Sequence, residues 1–167
     1  MNKQKIHAKL LLITLIAMIF MLQGCASAKL NVLKPVTSQL GTVSLTLLDK
    51  TAKKVSDEDI NNLKAAFSNS LQKLGVTLIS NEKNDVPTIV GQIQEYDKGS
   101  QPLRYFIGFG AGTGNMKTAW TVTDPSGTEV GSCSIDGSIS AGVFGGNFYS
   151  VHEEAAKAFV KFFTGAN

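Results

Sequence analysis

Lys117-Thr118-Ala119-Trp120-Thr121-Val122-Thr123 and Glu129-Val130-Gly131-Ser132-Cys133-Ser134-Ile135-Asp136-Gly137-Ser138-Ile139 stand on either side of Asp124-Pro125-Ser126-Gly127. Proline fixes φ early in such a turn, and glycine accepts the position where φ becomes positive. The polar-apolar alternation in both flanks fits two strands joined as a hairpin. A sheet therefore anchors the fold, and the other segments are read by how they join it.

Upstream, Pro87 to Tyr96 reads as a strand with Ile89, Gly91, Ile93 and Glu95 on one face, and Val76 to Ile79 as a shorter one. From Gly41 to Leu48, Val43, Leu45 and Leu47 alternate with Thr42, Ser44 and Thr46, which puts the aliphatic set on one side of a first strand. A helix follows. Ser56 is its N-cap, Asp59 occupies its third position, and Asp57, Glu58 and Asp59 set negative charge against the free amides of the first turn. Ile60, Leu63, Phe67, Leu71 and Leu74 recur at helical spacing, and Gly75 ends the run. Near the C-terminus, Ser150 with Glu153 three residues on resembles a capping box, and Ala155, Ala158, Phe159 and Phe162 give the helix a narrow apolar face. The fold class expected is α+β: a two-layer sandwich with a mainly antiparallel sheet and two packed helices. No repeat recurs at a solenoid period.

The first 24 residues have a different character. Lys3, Lys5 and Lys9 precede Leu10 to Leu22, a run that is apolar except for Thr14. As a helix it is about 20 Å long, short of the roughly 30 Å hydrocarbon core, so it reads as the apolar region of a signal peptide. Leu22-Gln23-Gly24-Cys25 resembles the lipobox of bacterial lipoproteins. That resemblance implies a diacylglyceryl group on the Cys25 sulfur, cleavage before it, and acylation of the new amino group. Ala26 is not the Asp that favours inner-membrane retention, so the resemblance implies the periplasmic face of the outer membrane. The expected organisation is a signal peptide over 1–24, a lipidated N-terminus and tether over 25–39, and one periplasmic α+β domain over 40–167. The tether would reach about 45 Å when extended, with Val32, Leu33 and Val36 available for a short edge strand instead.

Processing changes the charge reading. The chain has 16 Lys plus Arg against 13 Asp plus Glu, and the three surplus cations are Lys3, Lys5 and Lys9. The remaining chain is balanced, with Arg104 its one arginine and no dense lysine cluster, which argues against a nucleic-acid partner. Once Cys25 carries lipid, Cys133 is the single remaining thiol, and its strand-like flanks point to a small buried hydrophobe. His152 is the one histidine left. His152-Glu153-Glu154 does not make the two-histidine face of a zinc hydrolase, and the capping role accounts for Ser150. No catalytic residue, metal ligand or cofactor is assigned.

Arg104-Tyr105-Phe106-Ile107-Gly108-Phe109-Gly110-Ala111-Gly112-Thr113-Gly114 is the most unusual stretch of the domain. Neither G-x-G-x-x-G nor a Walker pattern can be drawn through it, and a strand rather than a helix follows, so a nucleotide cradle is disfavoured. Missing side chains let main chain approach a neighbour closely, with the aromatics adding apolar contact. Arg104, Tyr105, Phe106, Phe109, Gly110 and Gly112 are therefore candidate interaction residues, and Phe144 and Phe148 join them from a second glycine cluster. Arg104 to Gly112, following the Gly91-Gln92-Ile93 strand, resembles the signature of the bacterial lipoproteins grouped as DUF4410. The likeness extends over about Val43 to Phe163 and implies an envelope lipoprotein with no established catalytic residues.

Three functions are weighed. A noncatalytic envelope structural or assembly component comes first, held by membrane lipids through its anchor and contacting another envelope protein or a second copy of itself. A lipid or small hydrophobic ligand-binding protein comes second, with Phe106, Phe109, Phe144 and Phe148 lining a pocket. A hydrolase comes last.

Overall fold

The computed structural model describes residues 26–37, 40–79, 85–106, 112–140 and 147–166, with side chains of 104–106 left aside. Six strands form one sheet: β1 (Ala26–Lys34), β2 (Thr42–Asp49), β3 (Thr77–Ile79), β4 (Thr88–Asp97), β5 (Gly114–Thr123) and β6 (Glu129–Ile139). Among the described residues three helices accompany them: α1 (Asp57–Lys73), the short α2 (Gln101–Phe106) and α3 (Tyr149–Thr164). The spatial strand order is β1-β6-β5-β4-β2-β3. The fold is α+β, but the sheet is mixed rather than mainly antiparallel: β2 pairs parallel with both β3 and β4, and the other three pairings are antiparallel. The physical reason is the crossover. α1 carries the chain from the end of β2 back to the end at which β2 began, so the next strand runs parallel to it.

The hairpin forms as its sequence predicts. Asp124 accepts from the backbone of Ser126 and Thr128, and Gly127 has φ 84°. Met116, Thr118, Trp120 and Val122 of β5 face the core beside Cys133, Ile135 and Ile139 of β6. Both long helices cover this face. Phe67 of α1 stacks on Trp120 with ring centroids 4.2 Å apart, and Phe159 of α3 approaches the same indole at 4.8 Å. The close approach needs space below. Gly91 lies opposite Trp120 across the β4–β5 pair, and a Cβ there would sit 2.4 Å from the indole. Gly137 serves α3 similarly, since its Cβ would meet Val151 at 2.5 Å.

α1 follows its sequence signals except at Leu74, which caps the helix and is exposed rather than part of the apolar stripe. Ser56 accepts from the Asp59 amide, Leu63, Phe67 and Leu71 are buried, and Gly75 has φ 82° after the last turn. Three expectations are corrected. In β4 a bulge between Ile93 and Glu95 reverses the alternation, so Tyr96 faces the core beside Met116 while Glu95 is exposed. α3 starts at Tyr149, so Ser150 is not its N-cap: its hydroxyl donates to the Asn147 carbonyl, while the Asn147 side chain accepts from the Tyr149 amide. Most of the segment expected as a tether is strand. β1 pairs with β6 from Ala26↔Ile139 onward, with Ala26, Ala28 and Leu30 packed against the core. Their alternation with Ser27, Lys29 and Asn31 gives β1 an apolar face to bury.

The other sheet face is polar. One row across it reads Lys29, Asp136, Lys117 and Glu95, opposite charges alternating over four strands.

Candidate functional site

The helical side of the sheet holds a buried polar chain. The bulge delivers Tyr96 inward, and its hydroxyl lies 2.9 Å from Nε2 of His152 on α3. The Asp59 carboxylate lies near enough for its charge to act on the Tyr96 phenol, and it accepts from Ser56 at 2.6 Å and pairs with Lys98 at 2.9 Å. Nδ1 of His152 has no hydrogen-bond partner among the described groups.

The electrostatics fit this arrangement. Burial pushes His152 down to about 4, with the Lys98 charge adding to that and the Asp59 charge opposing it. Burial alone would raise the Asp59 pKa, but hydrogen bonds from Ser56 and Lys98, the Lys98 charge and Tyr96 together hold it below the usual carboxylate value. Burial first, then the Asp59 charge, raises the Tyr96 phenol far above its ordinary value. The histidine is thus neutral and the carboxylate charged near neutral pH. Tyr96, His152 and Phe148 also meet as rings at 5.2 to 5.8 Å, which makes the chain part of the packing between β4 and α3.

An open groove of about 930 Å³ runs between α1 and α3, bordered by Asn62, Asn69, Lys73, Tyr149 and Lys157, with His152 at its floor. Lys157 pairs with Glu154 at 2.7 Å. Among the described residues, no group of three His, Cys, Asp or Glu side chains could hold a metal ion, and no helix is long and apolar enough to cross a membrane. Asp49, Asp97 and Asp124 each accept backbone amides of their own turns.

The candidate interaction residues separate. Phe148 is a core residue: it is 4 % exposed, and a Cβ on Gly114 would meet its ring at 2.8 Å. It is therefore unavailable to line a ligand pocket. Arg104, Tyr105 and Phe106 fall in α2, a helix the glycine-rich reading did not foresee. Gly112 has φ 71° in the turn leading into β5. Phe109, Gly110, Phe144 and the lipidation residue Cys25 lie outside the described residues. Cys133 is fully buried, and that burial pushes its thiol up to about 12. The His152–Tyr96–Asp59 chain was missed because it joins residues far apart in sequence. One signal was present: His152 falls on the same helical stripe as Phe148, Ala155 and Phe159, all buried.

A mixed sheet with both long helices on one face and no exposed catalytic constellation among the described residues defines a class of small α+β domains. The chain belongs to the family described as "Domain of unknown function (DUF4410)", whose model matches residues 37–143. No curated protein matches it. Among solved structures, the PelC dodecamer from Paraburkholderia phytofirmans is similar at 14% identity, covering 82% of this chain and 97% of that one with a TM-score of 0.56. A point variant of the same dodecamer gives 15%, 83%, 96% and 0.53. XCC0632 from Xanthomonas campestris, of family DUF330, is 9% identical over 79% of this chain and 91% of its own, with a TM-score of 0.48. The PelC likeness shows a shared fold.

Proposed function

We propose that this protein is a noncatalytic lipoprotein, lipidated at Cys25 and held on the periplasmic face of the outer membrane, whose domain works as an envelope structural or assembly component by self-association. The observation that carries this reading is β1. It is an edge strand, and Val32 and Leu33 on it are 45% and 66% exposed. An apolar edge with unpaired backbone groups is a template for another chain. The two-layer arrangement, with both long helices on one side, also leaves the alternating charge row free to face a partner. The PelC structures of similar fold are dodecamers, which supports repeated copies as the partner here. Pairing of β1 with the same edge of a second copy gives a two-fold dimer, whereas its contact with a different surface of the next copy closes into a ring or runs on as a filament, depending on the rotation between copies.

Native mass spectrometry of the detergent-solubilised full chain is expected to give a discrete oligomer, and Val32→Lys/Leu33→Lys to reduce it to monomer with unchanged circular dichroism. A wild type that stays monomeric and cross-links to no envelope protein would sink the assembly reading. Cys25→Ala is expected to lose the acyl mass and leave the membrane fraction; undiminished membrane association of that variant would remove the anchor.

A further inference from the structure

The sheet face turned away from the two long helices carries a charge row whose order of signs has a geometric consequence. Lys29, Asp136, Lys117 and Glu95 stand directly across from one another in the register of β1, β6, β5 and β4. Lys29, Asp136 and Glu95 are exposed, and Lys117 is half-buried. Among the described residues, ion pairs join Lys54 to Asp57, Lys98 to Asp59 and Lys157 to Glu154, and none joins two members of the row. The flanking rows hold short uncharged side chains, Ser27, Ser138 and Asn115 on one side and Asn31, Ser134 and Ala119 on the other. The first of these rows ends in Asp97, which accepts the Gly99 amide. A hollow of about 440 Å³ opens over the charges.

Plus, minus, plus, minus is a pattern complementary to itself. A two-fold axis running along the strands, midway between β6 and β5, sets Lys29 over Glu95 of a second copy and Asp136 over its Lys117, and symmetry repeats both contacts. An axis across the strands would set each charge over its own counterpart, like on like. Aligned sheets cross at about 30°, which displaces the ends of the row most. Lys29 and Glu95, at those ends, have long side chains that span the displacement, while the short Asp136 lies near the axis. The anchor selects the same axis. Ala26, which follows Cys25, begins β1, and rotation about an axis along the strands keeps that end of both copies on one side, where a single membrane can hold them. Rotation across the strands would send the two ends apart.

We infer that the open sheet face is a two-fold, face-to-face contact between membrane-held copies of this chain, matched by its alternating charges. This rests on the self-association and lipidation proposed above, and it uses a surface separate from the exposed edge of β1. Four strands about 26 Å long offer roughly 500 Å² per copy, near the lower bound for a specific interface. Solvated charge pairs add little individually. The contact therefore forms where the anchor concentrates copies in a plane, and not in dilute detergent.

The test uses the full chain, processed in a bacterial envelope and reconstituted into phosphatidylethanolamine–phosphatidylglycerol vesicles. Ser138→Cys supplies an exposed thiol one row from the charges, about 11 Å from its counterpart by the strand and sheet spacings. Cys133 stays buried. A short bis-maleimide is expected to give a covalent dimer. Lys29→Glu or Glu95→Lys should lower its yield several-fold, and Lys29→Glu/Glu95→Lys should restore it. The double variant separates neighbours within the chain from partners across the axis: it puts a carboxylate beside Asp136 and an ammonium beside Lys117, so a within-chain effect would make it the worst of the three. Glu95→Lys carries the reversal from a different strand if Lys29→Glu unsettles β1. Unchanged yields in both single variants, or a double variant below either, overturn the contact. Val32→Lys/Leu33→Lys should keep the link; a link lost there but not on charge reversal belongs to the β1 edge, which overturns the face contact and leaves self-association standing. Absence of the acyl mass removes the anchor, and this inference with it.

Discussion

At the scale of single residues, His152 Nδ1 has no partner among the described residues, an arrangement that is tolerable only while the ring is neutral. The folded pKa near 4 lies below the ordinary 6.5, so the unfolded chain takes up the proton first as the solution is acidified. The stabilisation is complete above about pH 6.5 and is lost as pH falls toward about 4, a loss on the order of 3 kcal/mol. Asp59, held below its ordinary 3.8, adds a further loss at lower pH. Urea denaturation at about pH 7 and about pH 4.5 should show this slope in the wild type and a much flatter one in His152→Gln; equal slopes would refute the assignment. Gly91→Ala tests the opposite kind of contact. Its new Cβ would lie 2.4 Å from the indole that both helices grip, so overpacking should cost about 1–3 kcal/mol, read from the shift in the urea midpoint.

Among the elements, α1 was the most legible. Ser56, Asp59, the Leu63–Phe67–Leu71 stripe and Gly75 are local signals, and each appears where it was read. Ser56→Ala should cost about 1 kcal/mol by freeing the Asp59 amide, and amide exchange in the first turn of α1 should accelerate while that of α3 does not. The hairpin was legible for the same reason, since its turn chemistry lies within five residues. β1 carried a period-two signal in Ala26, Ala28, Leu30 and Val32, but two of those side chains are small and weak markers of a strand. Whether β2 and β4 run parallel depends on strand order, which no local pattern records. The bulge after Ile93 left no mark in the sequence either. It is defined by what it delivers, because without the parity change Tyr96 would point away from His152 and Asp59. The interaction residues chosen from glycine spacing were legible as an unusual composition, yet Phe148 belongs to the core and Arg104 to Phe106 form a helix.

For the whole molecule, the division of labour between the two sheet faces matters most. One face spends its glycines and aromatics on packing, and the other presents a row of alternating charges. Lipid attachment would confine copies to a plane, which raises their effective concentration for edge contacts that would be weak in solution. Self-association is accordingly expected to fall on dilution in detergent and to recover in vesicles at the same total protein, a comparison that cross-linking yields can make. Cys133 adds a practical consequence. Its sulfur sits in an inner strand beside Trp120, with no exposed surface and a thiol seldom ionised at neutral pH. It therefore acts as an internal clock: alkylation of that one sulfur would time how often the sheet opens.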